Sequence, residues 1–217
     1  MHLNLFTFDF QSADLEAEER NYKDHHVSLA RRFPNLRFYY TGHLVRTGGK
    51  DPEHYRAAII GYDSAEAAAI AARSEFVAPL VADSQAHLRN VASKSIDGEV
   101  IVPPALCGAG TRCFIMAAEF DFVPIDGARD LEAAEKHYRG VHVELARKLP
   151  GLRHYVIGKI VGGGAAPERH RMAVLVFDSH DALRAAYKSP EGHALTRDEH
   201  ATLRNARVSR IDARCEI

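Results

Sequence analysis

Residues 22–45, YKDHHVSLARRFPNLRFYYTGHLV, lie without a gap on residues 138–161, YRGVHVELARKLPGLRHYVIGKIV, at an offset of 116, with twelve of the 24 positions identical. The identities include Tyr22/Tyr138, His26/His142, Pro34/Pro150, Tyr39/Tyr155 and Gly42/Gly158. Further along, the register continues at an offset of 115, pairing Pro52-Glu53 with Pro167-Glu168, Asp63-Ser64 with Asp178-Ser179, Asp83 with Asp198, and Leu88-Arg89-Asn90 with Leu203-Arg204-Asn205. Matching at a nearly fixed offset over most of a chain is the mark of a duplicated structural unit. The units predicted are residues 1–104 and 105–217, divided near residue 105 in the stretch Val102–Thr111, whose prolines and glycines continue neither a strand nor a helix.

Within each copy the apolar period changes from two to about 3.6 and back, as alternating strands and helices require. Phe6, Phe8 and Phe10 alternate with polar neighbours as a first strand. Leu131, Ala134, Tyr138, Val141, Leu145 and Leu149 then form a helical stripe ending at Pro150-Gly151, with Leu15, Tyr22, Leu29 and Phe33 as its counterpart. Strands are predicted at about 36–46, 55–62 and 91–102, and at about 152–162, 170–177 and 206–215, with Asp63-Ser64 and Asp178-Ser179 opening a second helix in each copy. The order β-α-β-β-α-β is ferredoxin-like: an α+β fold with helices on one face of an antiparallel sheet. The other face needs a partner, and two copies in one chain supply it, packed sheet to sheet as a barrel-like sandwich.

The composition, 46% hydrophobic and 26% charged, supports packed cores, and a net charge of −1 gives no general attraction to nucleic acid or anionic membranes. Cys107, Cys113 and Cys215 are odd in number, and no Cys/His cluster surrounds them, so no disulfide framework or metal site is expected. The sequence contains no run of about 20 apolar residues and no basic-then-apolar beginning, so a cytoplasmic location is expected.

The stretch from His137 to Val156 resembles the EthD family of the dimeric α+β barrel superfamily. The resemblance lies in an aromatic and a His on the first helix, Tyr138 and His142, then Leu149-Pro150-Gly151-Leu152 and Tyr155. In the first copy Phe33-Pro34-Asn35-Leu36 replaces the Leu-Pro-Gly-Leu element, while Tyr22, His26 and Tyr39 are kept. The resemblance implies the barrel fold and a superfamily whose members include cofactor-independent oxygenases, lactone isomerases, polyketide cyclases, decarboxylases and haem enzymes. A fold of this kind does not fix a function.

On a helical wheel His26 and His142 fall on the apolar stripe, beside Tyr22 and Tyr138. An imidazole in an apolar pocket loses stabilisation of its charged form and is neutral near pH 7, as a general base must be. A core histidine satisfied by one hydrogen bond accounts for the same pattern. Tyr39 and Tyr155, on the following strand, are placed to donate to a developing oxyanion or simply to pack, and Tyr22 and Tyr138 are candidate substrate contacts. Asp83 and Asp198 are secondary candidates, as carboxylates that could orient a histidine.

The expectation is therefore an enzyme without a cofactor, of cyclase, decarboxylase, isomerase or oxygenase type. It would act on a small, mostly apolar carbonyl or phenolic compound in a cavity between helix and sheet, with His142 or His26 as base and the copy carrying His142 the more functional. The alternatives are a non-catalytic accessory or binding protein of a catabolic pathway and a haem-binding barrel, and self-association is left open.

Overall fold

A computed structural model of the chain describes residues 1–104, 108–123, 129–162 and 170–217. The proposed division at residue 105, Cys107, Gly163, Gly164 and Pro167-Glu168 lie outside the described residues.

The first repeat runs β1 (His2–Phe10), α1 (Leu15–Asn21), a π-helical turn (Tyr22–His26), α2 (Val27–Ala30), β2 (Leu36–Val45), β3 (Arg56–Tyr62), α3 (Ala65–Ala71), α4 (Val77–His87) and β4 (Leu88–Val102). The second runs β5 (Arg112–Phe122), α5 (Arg129–His137), a π-helical turn (Tyr138–His142), α6 (Val143–Ala146), β6 (Leu152–Gly162), β7 (Arg171–Phe177), α7 (His180–Lys188), α8 (Pro190–Thr202) and β8 (Leu203–Cys215). The second helix expected in each copy is thus two helices. In the later copy Pro190 cannot continue α7, and Ser189 caps the new start by accepting from the Gly192 amide. Ser64 and Ser179 cap α3 and α7 in the same way.

Each repeat has the ferredoxin-like strand order, β4-β1-β3-β2 and β8-β5-β7-β6. The two sheets do not merely face each other. Their edges join, β2 to β8 and β4 to β6, so eight antiparallel strands close one barrel without a free edge. At both seams a glycine permits the close approach. A Cβ on Gly42 would sit 2.1 Å from the Asp212 carbonyl oxygen, and one on Gly158 would sit 2.7 Å from that of Asp97.

β3 and β7, central in each repeat's sheet, are buried along their whole length, whereas β4 and β8 are largely exposed or half-buried. One core fills the barrel with side chains from every strand, among them Leu3, Phe38, Ile59, Ile96, Ile115, Val156, Val174 and Ile211. Two others lie between sheet and helices. Phe8, Phe10, Tyr22 and Tyr39 belong to the first repeat's, and Phe120, Phe122, Tyr138 and Tyr155 to the second's.

The predicted stripes need one correction. Leu15, Leu131 and Val141 are exposed, while His26, Val27 and Ala30, and His142, Val143 and Ala146, are buried. Leu15 and Leu131 stand in the exposed first turns of α1 and α5, and for Val141 the cause is the π-turn. The amide of Val27 bonds to the carbonyl of Tyr22, and that of Val143 to Tyr138, five residues back rather than four, so a wheel of 100° per residue loses phase there. Both helices end at equivalent left-handed residues, Asn35 at φ 63° and Gly151 at φ 74°, conformations that Asn and Gly tolerate best.

Candidate active site

The π-turn sets the geometry of the site. Because its turn is wider than an α-helical one, residues four apart come nearly over one another, and Tyr22 stacks on His26 with ring centres 4.7 Å apart and planes at 16°. Tyr138 and His142 repeat this at 5.1 Å and 22°. Insertions of this kind are frequent at functional sites.

Each imidazole then meets a carboxylate from the helix preceding the last strand of its own repeat. Nδ1–H of His26 donates to Oδ2 of Asp83 at 2.7 Å, and Nδ1–H of His142 donates to Oδ2 of Asp198 at 2.8 Å. The other oxygen of each carboxylate is also held, by Asn21 Nδ2 at 3.3 Å and by His137 Nε2 at 2.6 Å respectively. A carboxylate on Nδ1 fixes the tautomer and leaves the Nε2 lone pair free to take a proton. Among the described residues neither Nε2 has a hydrogen-bond partner, and the two side chains keep 10% and 7% of their exposure. Burial lowers the pKa of both histidines and outweighs the opposing pull of Asp83 and Asp198, so both are neutral at pH 7. Burial alone would raise the Asp198 carboxyl, but the hydrogen bonds from His137 and His142 hold it below its ordinary value.

Tyr39 and Tyr155 do not reach the histidines. Both are fully buried, and the Tyr39 hydroxyl meets that of Tyr22 at 3.3 Å. Thr41 spends its only hydroxyl proton on the Ala57 carbonyl, so Tyr22 donates to Thr41 at 3.1 Å and Tyr39 donates to Tyr22. Burial raises the Tyr39 and Tyr155 phenols well above 10. In the second repeat Ile157 stands where Thr41 stands in the first, and the buried Tyr138 hydroxyl faces Tyr155 without a hydrogen bond.

Arg56 and Arg171 occupy equivalent positions, pair with the equivalent Glu19 and Glu135, and lie 4.5 Å and 6.0 Å from the ring centres of Tyr22 and Tyr138. Neither ion pair was singled out from the sequence. The offsets of 115 and 116 that relate their members are the signal that could have found them.

A cleft of about 580 Å³ opens between the first repeat's helix and the β2–β8 seam, with Tyr22, Val27, Thr41, Arg56 and Asp212 among its walls. The guanidinium Nε of Arg56 is buried there without a partner. Its counterpart in the second repeat, about 410 Å³, touches Gly158 and Arg171 but not Tyr138. The first cleft thus reaches the Tyr22 ring of its stack, without His26 among its walls, and the second reaches neither Tyr138 nor His142. Among the described residues no cluster of His, Cys, Asp and Glu could hold a metal ion, and no helix is long and apolar enough to cross a membrane.

Residues 128–203 match the EthD domain. The matched stretch of the EthD domain takes in Tyr138, His142, Tyr155 and Asp198, so the stacked pair and its carboxylate lie inside it. Three solved structures share the fold over the whole chain. A candidate monooxygenase from Fusobacterium nucleatum has a TM-score of 0.73 at 11% identity, covering 99% of this chain and 93% of its own. A second candidate monooxygenase, from Lactobacillus acidophilus, has a TM-score of 0.64 at 13% identity, with 98% and 93% covered. An anthrone oxidase-like protein has a TM-score of 0.59 at 14% identity, with 98% and 91% covered. At these identities the likeness establishes the fold alone. No curated protein matches the chain.

Proposed function

We propose that the chain is a cofactor-independent acid/base enzyme for a small carbonyl or phenolic compound. The observation that carries this reading is the His–Asp pair, built twice, with Nδ1 engaged, Nε2 unpartnered and the ring neutral at pH 7. In the first repeat the base and a cationic donor, Arg56, both lie against the ring of Tyr22. A substrate reaching the Tyr22–His26 stack would lose a proton from an activated carbon or phenol to Nε2 of His26. The electron pair left behind would develop on the substrate oxygen, with the Arg56 guanidinium across the Tyr22 ring adding positive charge nearby. The roles proposed are His26 and His142 as bases, Asp83 and Asp198 as orienting carboxylates, Tyr22 and Tyr138 as substrate contacts, and Tyr39 and Tyr155 as supports for those contacts.

The test is deuterium exchange in D2O, followed by proton NMR, on a panel of cyclic 1,3-diketones, anthrones and hydroxyaryl ketones. Exchange above the buffer rate is expected for at least one compound, falling about a hundredfold or more in His26→Ala. No exchange across the panel, or exchange undiminished in the His26→Ala/His142→Ala double variant, rules the proposal out.

A further inference from the structure

A cavity of about 680 Å³ belongs to neither stacked pair; it occupies one mouth of the barrel. Its apolar wall comes from Leu5, Leu44 and Ile160. The barrel beyond them is closed, since Phe38 and His154, at equivalent positions in the two copies, meet edge to face at 4.7 Å inside it. Its polar wall is asymmetric. Strand pairing sets Thr7 against Ala92 in the first repeat where Glu119 faces Arg207 in the second, and Leu5 against Lys94 where Ala117 faces Ser209. Lys94 crosses the mouth to Glu119 at 2.5 Å, joining strands that are not neighbours in the barrel. Arg207 pairs with Glu53 from the facing loop.

In a barrel of two identical subunits each of these side chains would appear twice around the axis, and Glu119 would face its own copy. A duplicated chain escapes that constraint, and here Lys50, Lys94, Arg207 and Arg210 line the mouth against Asp51, Glu53 and Glu119. A concave pocket of this volume with an apolar wall and a few convergent polar groups is what small-molecule sites are made of. Glu119 holds Lys94, Glu53 holds Arg207 and Asp51 pairs with Arg46, which leaves Lys50 and Arg210 without a carboxylate partner among the described residues.

We propose that the barrel mouth binds a small amphipathic organic anion, its carboxylate on Lys94 and Arg207 and its apolar body against Leu5, Leu44 and Ile160. Glu119 then acts as a built-in competitor, holding Lys94 until the ligand arrives. This site stands apart from the acid/base chemistry proposed above.

The test is calorimetric titration of the full chain with 2-naphthoate and with the neutral 2-naphthamide. Naphthoate is expected to bind saturably and the amide about tenfold or more weaker, because a charge-assisted hydrogen bond is lost. Lys94→Gln should weaken naphthoate about tenfold, whereas Glu119→Gln, by releasing Lys94, should tighten it. These opposite signs cannot come from a general loss of folding. His26→Ala should leave the affinity unchanged. No saturable binding, equal affinity for acid and amide, or indifference to both substitutions overturns the proposal.

Discussion

The two repeats hold the same stacked Tyr and His over the same carboxylate, and differ in what lies beneath. In the first, Thr41 accepts from Tyr22, Tyr39 donates to it, and a cleft opens beside Arg56. In the second, Ile157 removes the acceptor, Tyr138 is left with an unpaired hydroxyl, and the cleft does not reach it. The frame that orients an imidazole has thus been kept twice, whereas the floor on which a ligand would rest has been kept on one side. Resemblance to a family motif is stronger in the second copy, but the cleft that touches a stacked tyrosine is beside the first. A motif records how the backbone turns; space depends on side chains such as Thr41 that fall outside it.

The sharpest way to break the comparison is to remove the carboxylates. Asp83→Ala strips a buried imidazole of its only described partner, leaving its Nδ1–H unsatisfied, and should cost about 3 kcal/mol in urea denaturation. Asp198 is less buried and shares its charge with the half-exposed His137, so Asp198→Ala should cost about 2 kcal/mol. Equal losses would mean that the two pairs are energetically alike.

A second test uses the barrel interior, where one copy has Phe38 and the other His154. Burial lowers the His154 pKa from 6.5 to about 4, and its Nε2 has no partner. The folded ring therefore binds protons less readily than the unfolded one, so stability is intact above pH 6.5 and falls as the pH drops toward 4. This residue alone accounts for a loss on the order of 3 kcal/mol across that window. His154→Phe should flatten the dependence, leaving the part due to His26 and His142.

Smaller effects distinguish the two tyrosines. Tyr22→Phe should cost about 1 kcal/mol and Tyr138→Phe close to nothing, because only the first hydroxyl has a partner to lose. Ile157→Thr should install the missing acceptor, and in that background Tyr138→Phe should come to cost about as much as Tyr22→Phe.

The duplication, the strand order and the caps at Ser64 and Ser179 were legible because each rests on local chemistry repeated at a fixed offset. The inward histidines were legible for the same reason. The π-turn was not, since one added residue per turn leaves no compositional trace, and it misplaced Val141. Asp83 and Asp198 stood out as repeated carboxylates, yet their partnership with His26 and His142 spans 57 and 56 residues and becomes visible only when the helices pack. His154 looked like an ordinary strand residue, because in a strand buried on both faces alternation no longer separates inside from outside.

The seams at Gly42 and Gly158 tie β2 to β8 and β4 to β6 within one polypeptide. Assembly of the barrel is therefore a first-order event. Dilution cannot dissociate its halves, and its unfolding midpoint should not move with protein concentration, as that of an equivalent two-chain barrel must.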